Sequence, residues 1–325
     1  MKVGIVGAGA IGGWLGLALH RAGAQVSMVA RGATLAALQA QGLRLRRPDG
    51  TVEQAAVQAT ESPTALGVQD VVVVAVKAPG MADVARTIGP LLGPQTMVLT
   101  AMNGVPWWFL QGCGGPAAGR SLASVDPDGT IARAIAPAHV VGGVVHTSCA
   151  LEAPGFVRQH FGNRLILGEP SGERSVRVQA LAAALQAGGI DAEVSERIQQ
   201  DIWFKLWGNL TLNPISALTG ATTDRILDDD LVRGFVERVM LEAKAIGERL
   251  GLPIDQQPAD RHAVTRKLGA FKTSMLQDVE AGKPMEIDAL VGAVHELGGL
   301  TGVPTPDTAA LLGLVRLMAR TRGLY

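Results

Sequence analysis

Apolar positions in this chain follow two rhythms. Up to about residue 195, short β-type apolar runs alternate with helical patterns. Beyond it come only amphipathic helical segments, separated by the stops Gly251-Leu252-Pro253, Gly282-Lys283-Pro284 and Gly302-Val303-Pro304. The first run (Val3, Ile5, Val6) enters Gly7-x-Gly9-x-x-Gly12, and Trp14, Leu15, Leu17, Ala18 and Leu19 continue it as a helix. Further strands are predicted over 25–30, 71–76, 96–101, 140–148, 156–168 and 190–194. Helices are predicted over 34–41, about 81–92 and 175–187, with a short one inside the loop 120–136. Residues 42–57 read as irregular or short-stranded around the turn Pro48-Asp49-Gly50. The run Val71-Val72-Val73-Val74-Ala75-Val76 has the unbroken β-branched character of a strand buried on both faces of a parallel sheet.

Strand, glycine loop and helix, in that order, are what a dinucleotide-binding βαβ unit needs. Gly7 permits the tight turn, Gly9 lets the backbone approach a pyrophosphate, and Gly12 lets helix and strand pack closely. The loop Gly7, Ala8, Gly9, Ala10, Ile11, Gly12 is therefore a candidate phosphate cradle at a helix N-terminus. The fold class expected is α/β. An N-terminal Rossmann-type dinucleotide-binding domain (1–195) is followed by an all-helical domain (196–325) that carries substrate and chemistry.

The end of the second strand bears on cofactor choice. An acidic residue there would bind the ribose 2′-hydroxyl of NAD. None is present, and Arg31 stands where a 2′-phosphate would lie, so NADP(H) is favoured; a solvated surface arginine is the alternative. Lys77 and Asn103 follow the third and fourth predicted strands of the parallel sheet, at the edge where ligands of open α/β sheets bind. Lys77 suits the cofactor equally with solvent, and Asn103-Gly104 suits a ligand contact equally with a plain turn. Pro106-Trp107-Trp108-Phe109 reads as packing at the wall of the crevice.

Composition narrows the class. Hydrophobic residues make up 47% and charged residues 18% of the 325, which marks a globular protein with a large core. Lys plus Arg equals Asp plus Glu at 29 each, which argues against a nucleic-acid or anionic-membrane partner. Cys113 and Cys149 have no metal-ligand spacing, so no metal is expected and a reducing cytoplasm is. No basic region precedes an apolar stretch at the N-terminus, and no apolar run is long enough to span a bilayer. The apolar second domain is compatible with a homodimer.

The helical half carries one unusual stretch, Trp203-Phe204-Lys205-Leu206-Trp207-Gly208-Asn209-Leu210-Thr211-Leu212-Asn213-Pro214. On a helix Lys205, Asn209 and Asn213 lie along one side. Their neighbours are large and apolar, and polar groups buried there need partners or a ligand. The alternative is the solvent stripe of an amphipathic helix. A second stretch, Ser274-Met275-Leu276-Gln277-Asp278 through Glu286, reads as a helix end, a turn and a new helix, with Glu286 complementing a helix dipole.

Taken together, the chain resembles the ketopantoate reductase (2-dehydropantoate 2-reductase) family along nearly its whole length. The resemblance is carried by Gly7-x-Gly9-x-x-Gly12, Arg31, Val76-Lys77-Ala78, Asn103-Gly104, Lys205-x3-Asn209-x3-Asn213-Pro214, Ser274-Met275-Leu276-Gln277-Asp278 and Glu286. It implies NADPH-dependent reduction of a 2-oxo acid, 2-dehydropantoate in the named enzyme, in pantothenate biosynthesis. It further implies Lys205 as proton donor and Asn209, Asn213 and Ser274 as substrate-binding residues. Asn103 would touch both nicotinamide and substrate, while Lys77, Ser148 and Glu286 would lie against the cofactor. The chemistry is coherent: hydride delivered to a ketone carbon leaves charge on oxygen, which a positioned ammonium stabilises and protonates.

Four places depart from the family pattern: Val105-Pro106-Trp107-Trp108 after Asn-Gly, Thr223 where a further asparagine is usual, extra residues around 148–154, and Pro79-Gly80 after Lys77-Ala78. They leave open a paralogous reductase of another 2-oxo acid. A non-catalytic NADP(H)-sensing regulator is the remaining alternative; it would have no use for Lys205 with Asn209 and Asn213.

Overall fold

The computed structural model describes all 325 residues. Ten strands form one sheet: β1 (Lys2–Val6), β2 (Gln25–Val29), β3 (Leu43–Arg46), β4 (Val52–Ala55), β5 (Gln58–Thr60), β6 (Val71–Val74), β7 (Met97–Thr100), β8 (Val140–Ala153), β9 (Phe156–Gly168) and β10 (Asp191–Val194). Their order is β4-β3-β9-β8-β7-β6-β1-β2-β5, with β10 beside β9. From β5 through β8 every pairing is parallel, and β8 and β9 then form a long antiparallel hairpin. The chain leaves β1 toward β2 and later returns to β6 on its other side. The strand order therefore switches direction between β1 and β6, where open α/β sheets bind ligands. All four valines of β6 are fully buried, as a strand covered on both faces requires.

Residues 42–57 are more regular than their sequence suggests. Leu43 and Leu45 alternate with Arg44 and Arg46, so β3 has a buried face and an open one, and β4 completes a hairpin around Pro48-Asp49-Gly50. Arg44 and Arg46 stack on the Phe156 ring at 4.6 and 5.1 Å, which holds β3 against β9. A period-2 pattern of only four residues is a weak signal alone; the strand forms because β9 offers it an edge.

Two compact units are present. One comprises Met1–Met102 and Thr130–Ile198, the other Asn103–Gly129 and Gln199–Tyr325. The packing thus departs from an undivided 1–195 block, because Asn103–Gly129 belongs with the helices. Trp107, Trp108 and Phe109 in that segment are buried, with the Phe109 ring 6.0 Å from that of Trp203. So aromatic a stretch needs a core, and it finds one among the helices.

In the helical unit, the helix Ile198–Thr219 is tied to the helix Asp230–Arg249 by Trp207 Nε1 donating to the Met240 carbonyl at 2.8 Å. Asp230–Arg249 in turn packs on Ala293–Thr301 and Pro306–Thr321. The Ser274 stretch begins a helix instead of ending one: Thr273 caps Ser274–Glu280 by accepting from the Leu276 amide. Beyond Glu286 a π-helical turn, Asp288–Gly292, leads into Ala293–Thr301. No helix is long and apolar enough to cross a membrane.

The glycine loop shows two different needs. Gly7 has φ +105°, and Gly12 packs so closely that a Cβ would lie 2.0 Å from the Gly7 carbonyl oxygen. A Cβ on Gly9 would meet nothing within 4 Å. Gly12→Ala should therefore destabilise the protein by roughly 1–3 kcal/mol in denaturant unfolding, whereas Gly9→Ala, which meets no neighbour and loses only the N-cap preference for glycine over alanine, should cost about 1 kcal/mol or less.

Candidate active site

Of the predicted cofactor residues on the sheet unit, the glycine loop and Lys77 lie at the β1–β6 switch, Arg31 follows β2, and Ser148 is on β8. Gly7 lies against the chain just past β6, where its Cβ would come within 2.7 Å of the Ala75 carbonyl carbon. Gly9 is the N-cap of the helix Ala10–Arg21, which has no acidic residue in its first turn and so keeps its positive dipole end free for an anion. No neighbour explains the missing side chain at Gly9, and a phosphate cradle does. Those observations fit a dinucleotide. Lys77, exposed, caps a short turn, Ala78–Gly80, directly after β6. Arg31 is 64% exposed and makes a loose 3.9 Å ion pair with Asp83, a contact weak enough for a phosphate to replace. Ser148 lies on β8 beyond its pairing with β7, at an irregularity in the β8–β9 register.

The remaining predicted residues sit together in the helical unit. Trp203, Leu206, Trp207 and Leu210 bury one side of the helix Ile198–Thr219. Lys205 and Asn209, half-buried, occupy the other side, together with Asn213. Lys205 Nζ donates to Asn103 Oδ1 at 3.0 Å, and Asn103 Nδ2 donates to Glu286 Oε2 at 3.2 Å. Burial pushes the Lys205 ammonium down to about 8; the Glu286 carboxylate pulls it back up, and Arg261 lowers it further. Glu286 is itself buried, so its charge acts through little water.

Asn103 is held by its neighbour. Gly104 has φ +78°, and a Cβ there would lie 2.4 Å from the Ala289 carbonyl oxygen, the same oxygen that accepts from the Val105 amide at 2.8 Å. Ala289 belongs to the π-helical turn that follows Glu286, so one feature positions both the asparagine and the carboxylate it contacts. Asn-Gly is thus a turn whose asparagine amide bridges Lys205 and Glu286.

Asn213 Nδ2 donates to Ser274 Oγ at 3.4 Å, while the Asn209 amide has no protein partner. Thr223 is buried, and its hydroxyl donates to the Gly269 carbonyl at 3.1 Å, so it ties two segments of the fold together. Trp107 and Trp108 are core residues of this unit. Cys113 and Cys149 form no disulfide, burial raises the Cys149 thiol to about 11, and no cluster of His, Cys, Asp or Glu could hold a metal.

Comparison with known proteins shows the family. Residues 3–108 fit the family model described as ketopantoate reductase PanE/ApbA, and residues 197–319 fit its C-terminal counterpart. A 2-dehydropantoate 2-reductase of Mesorhizobium japonicum is 50% identical over 100% of both chains. The chain belongs to the ketopantoate reductase family. Among solved structures, a protein assigned as a ketopantoate reductase from Ralstonia solanacearum MolK2 is 58% identical, with a TM-score of 0.96 over 100% of this chain and 99% of that one. A PanE/ApbA family ketopantoate reductase from Ralstonia eutropha JMP134 is 29% identical, with a TM-score of 0.85 over 99% and 100%.

In this member of the ketopantoate reductase family, sequence reasoning passed over Arg261 and the π-helical turn. Arg261 carries no motif, and it is near Lys205 only because the helix Pro258–Arg266 packs there. The Lys205–Asn103–Glu286 chain makes a titration prediction. Glu286→Gln removes the charge that favours the ammonium, so Lys205 should lose its proton at a pH below about 8, read by NMR of the lysine side chain.

Proposed function

We propose that this chain reduces 2-dehydropantoate to pantoate with NADPH, the step that serves pantothenate synthesis, with Lys205 as proton donor. The observation that carries the reading is a lysine held by Asn103 on the polar side of an otherwise apolar helix, in a chain of this family. NADPH, when bound, supplies the hydride. The carbonyl carbon gains a C–H bond, the π electrons move to oxygen, and Lys205 Nζ gives that oxygen its proton. Asn103 orients the ammonium, and with its pKa at about 8 Lys205 is mostly charged at neutral pH. The free amide of Asn209, with Asn213 and Ser274, suits the hydroxyl end of the substrate without adding negative charge.

Cofactor binding is assigned to the loop Gly7 to Gly12 and Arg31, with Lys77, Asn103, Ser148 and Glu286 in supporting contacts. The nucleotide is given to the sheet unit and the substrate to the helical one. Two cysteines outside any disulfide support a reducing, cytoplasmic setting.

Three measurements test this reading. Lys205→Ala should lower kcat for 2-dehydropantoate by about 10²–10⁴-fold and leave NADPH binding intact; turnover within threefold of the parent removes Lys205 from the mechanism. Because the charged form is the donor, the reduction rate should be level below neutrality and fall as pH rises through about 8. Arg31→Ala should raise KM for NADPH by roughly 10-fold or more and leave KM for NADH little changed, since a charge-assisted phosphate contact is lost.

A further inference from the structure

Arg261 shares with Arg44 a buried Nε that has no hydrogen-bond partner and a guanidinium stacked on an aromatic ring, but only Arg261 is placed to act on Lys205. Arg21, Arg46, Arg177 and Arg266 each pair with a carboxylate. Arg261 pairs with none, and its Nε is buried without a hydrogen-bond partner. Its guanidinium rests on the Phe204 ring, 5.5 Å from the centroid, and fills the notch that Gly208 leaves in the helix Ile198–Thr219. A Cβ on residue 208 would lie 2.6 Å from Nε and 2.8 Å from Nη2. Lys205 and Gly208, three positions apart, are neighbours on the helix surface, so the guanidinium is seated one turn along the helix from Lys205 and its charge acts on that side chain. Burial lowers the Arg261 pKa, and its charge lowers that of Lys205. Two cations placed this close repel, and an orphaned buried N–H costs further, unless an anion completes the group.

We infer that Arg261 is the anion anchor of this site and receives the carboxylate of the substrate on its guanidinium fork. A 2-oxo acid carries its keto oxygen and its carboxylate on neighbouring carbons, which matches an ammonium and a guanidinium one turn apart on a helix surface. The planar fork suits a carboxylate better than a lysine would. Phe204 fixes the plane of the fork, and Gly208 gives it room. The substrate's negative charge would also offset the repulsion on Lys205, so the donor keeps its proton when substrate is present. This rests on the reductase reading above and adds the residue that makes the site selective for acids over neutral ketones.

The test compares 2-dehydropantoate with its uncharged 2-oxo amide in steady-state kinetics, and adds calorimetry of pantoate binding to the NADP-loaded protein. Arg261→Gln should raise KM for the acid, and weaken pantoate, by about 10- to 100-fold, change kcat less than about threefold, and leave the amide's KM unmoved. Arg261→Lys should recover part of the loss. Gly208→Ala keeps the charge but pushes the guanidinium from its seat, so it should raise the acid's KM in the same selective way. Equal losses on acid and amide would show a merely structural role and overturn the anchor; so would an unchanged acid KM in both the Gln and Ala variants. A parent protein that reduces no 2-oxo acid yet binds pantoate through Arg261 would overturn the reductase reading and leave the anchor standing.

Discussion

A lysine ammonium kept charged among apolar side chains is the constraint on which the helical unit is built. Burial favours the neutral amine, and the Arg261 charge pushes the same way. The Glu286 carboxylate opposes both, leaving the ammonium with a pKa of about 8. Asn103 stands between the two charges with its carbonyl toward Lys205 and its amide toward Glu286. An amide serves both at once, whereas an aspartate would face Glu286 with like charge and a leucine would leave both ions without this partner. The orientation of the asparagine is fixed by the charges on either side of it.

Keeping three groups in register takes three separate chain segments. The helix Ile198–Thr219 supplies Lys205 and braces it with Trp203 and Trp207 on its buried side. The stretch following β7 supplies Asn103, and Gly104 lets that backbone close onto the Ala289 carbonyl. The π-helical turn Asp288–Gly292 supplies that carbonyl and sits just beyond Glu286. The Ala289 carbonyl of that turn receives the Val105 amide. The sheet unit works by another principle. Its glycine loop offers backbone N–H groups and a helix dipole, with Gly9 left bare by nothing in the protein itself.

The sequence alone determined the elements whose signal is local. Glycines at 7, 9 and 12 directly after an apolar run dictate a strand, a tight turn and a helix, because each glycine answers a backbone need within that turn. The valine run of β6 and the change to helical periodicity near residue 196 are composition signals of the same local kind, as is the spacing that puts Lys205, Asn209 and Asn213 on one side of a helix. Family resemblance added roles to those positions, but no periodicity said which residues would touch. Four features awaited the tertiary structure: the transfer of Asn103–Gly129 to the helical unit, the partnership of Asn103 with Glu286 across 183 positions, the closing of β3 onto β9, and the seat of Arg261 over Gly208. Each depends on a surface that another part of the chain provides: a core for tryptophans, a carbonyl for a glycine to approach, an open strand edge, a notch in a helix. Such surfaces exist only once the chain has packed, because the free energy that selects them is a property of pairs of distant segments and not of any one segment's own sequence.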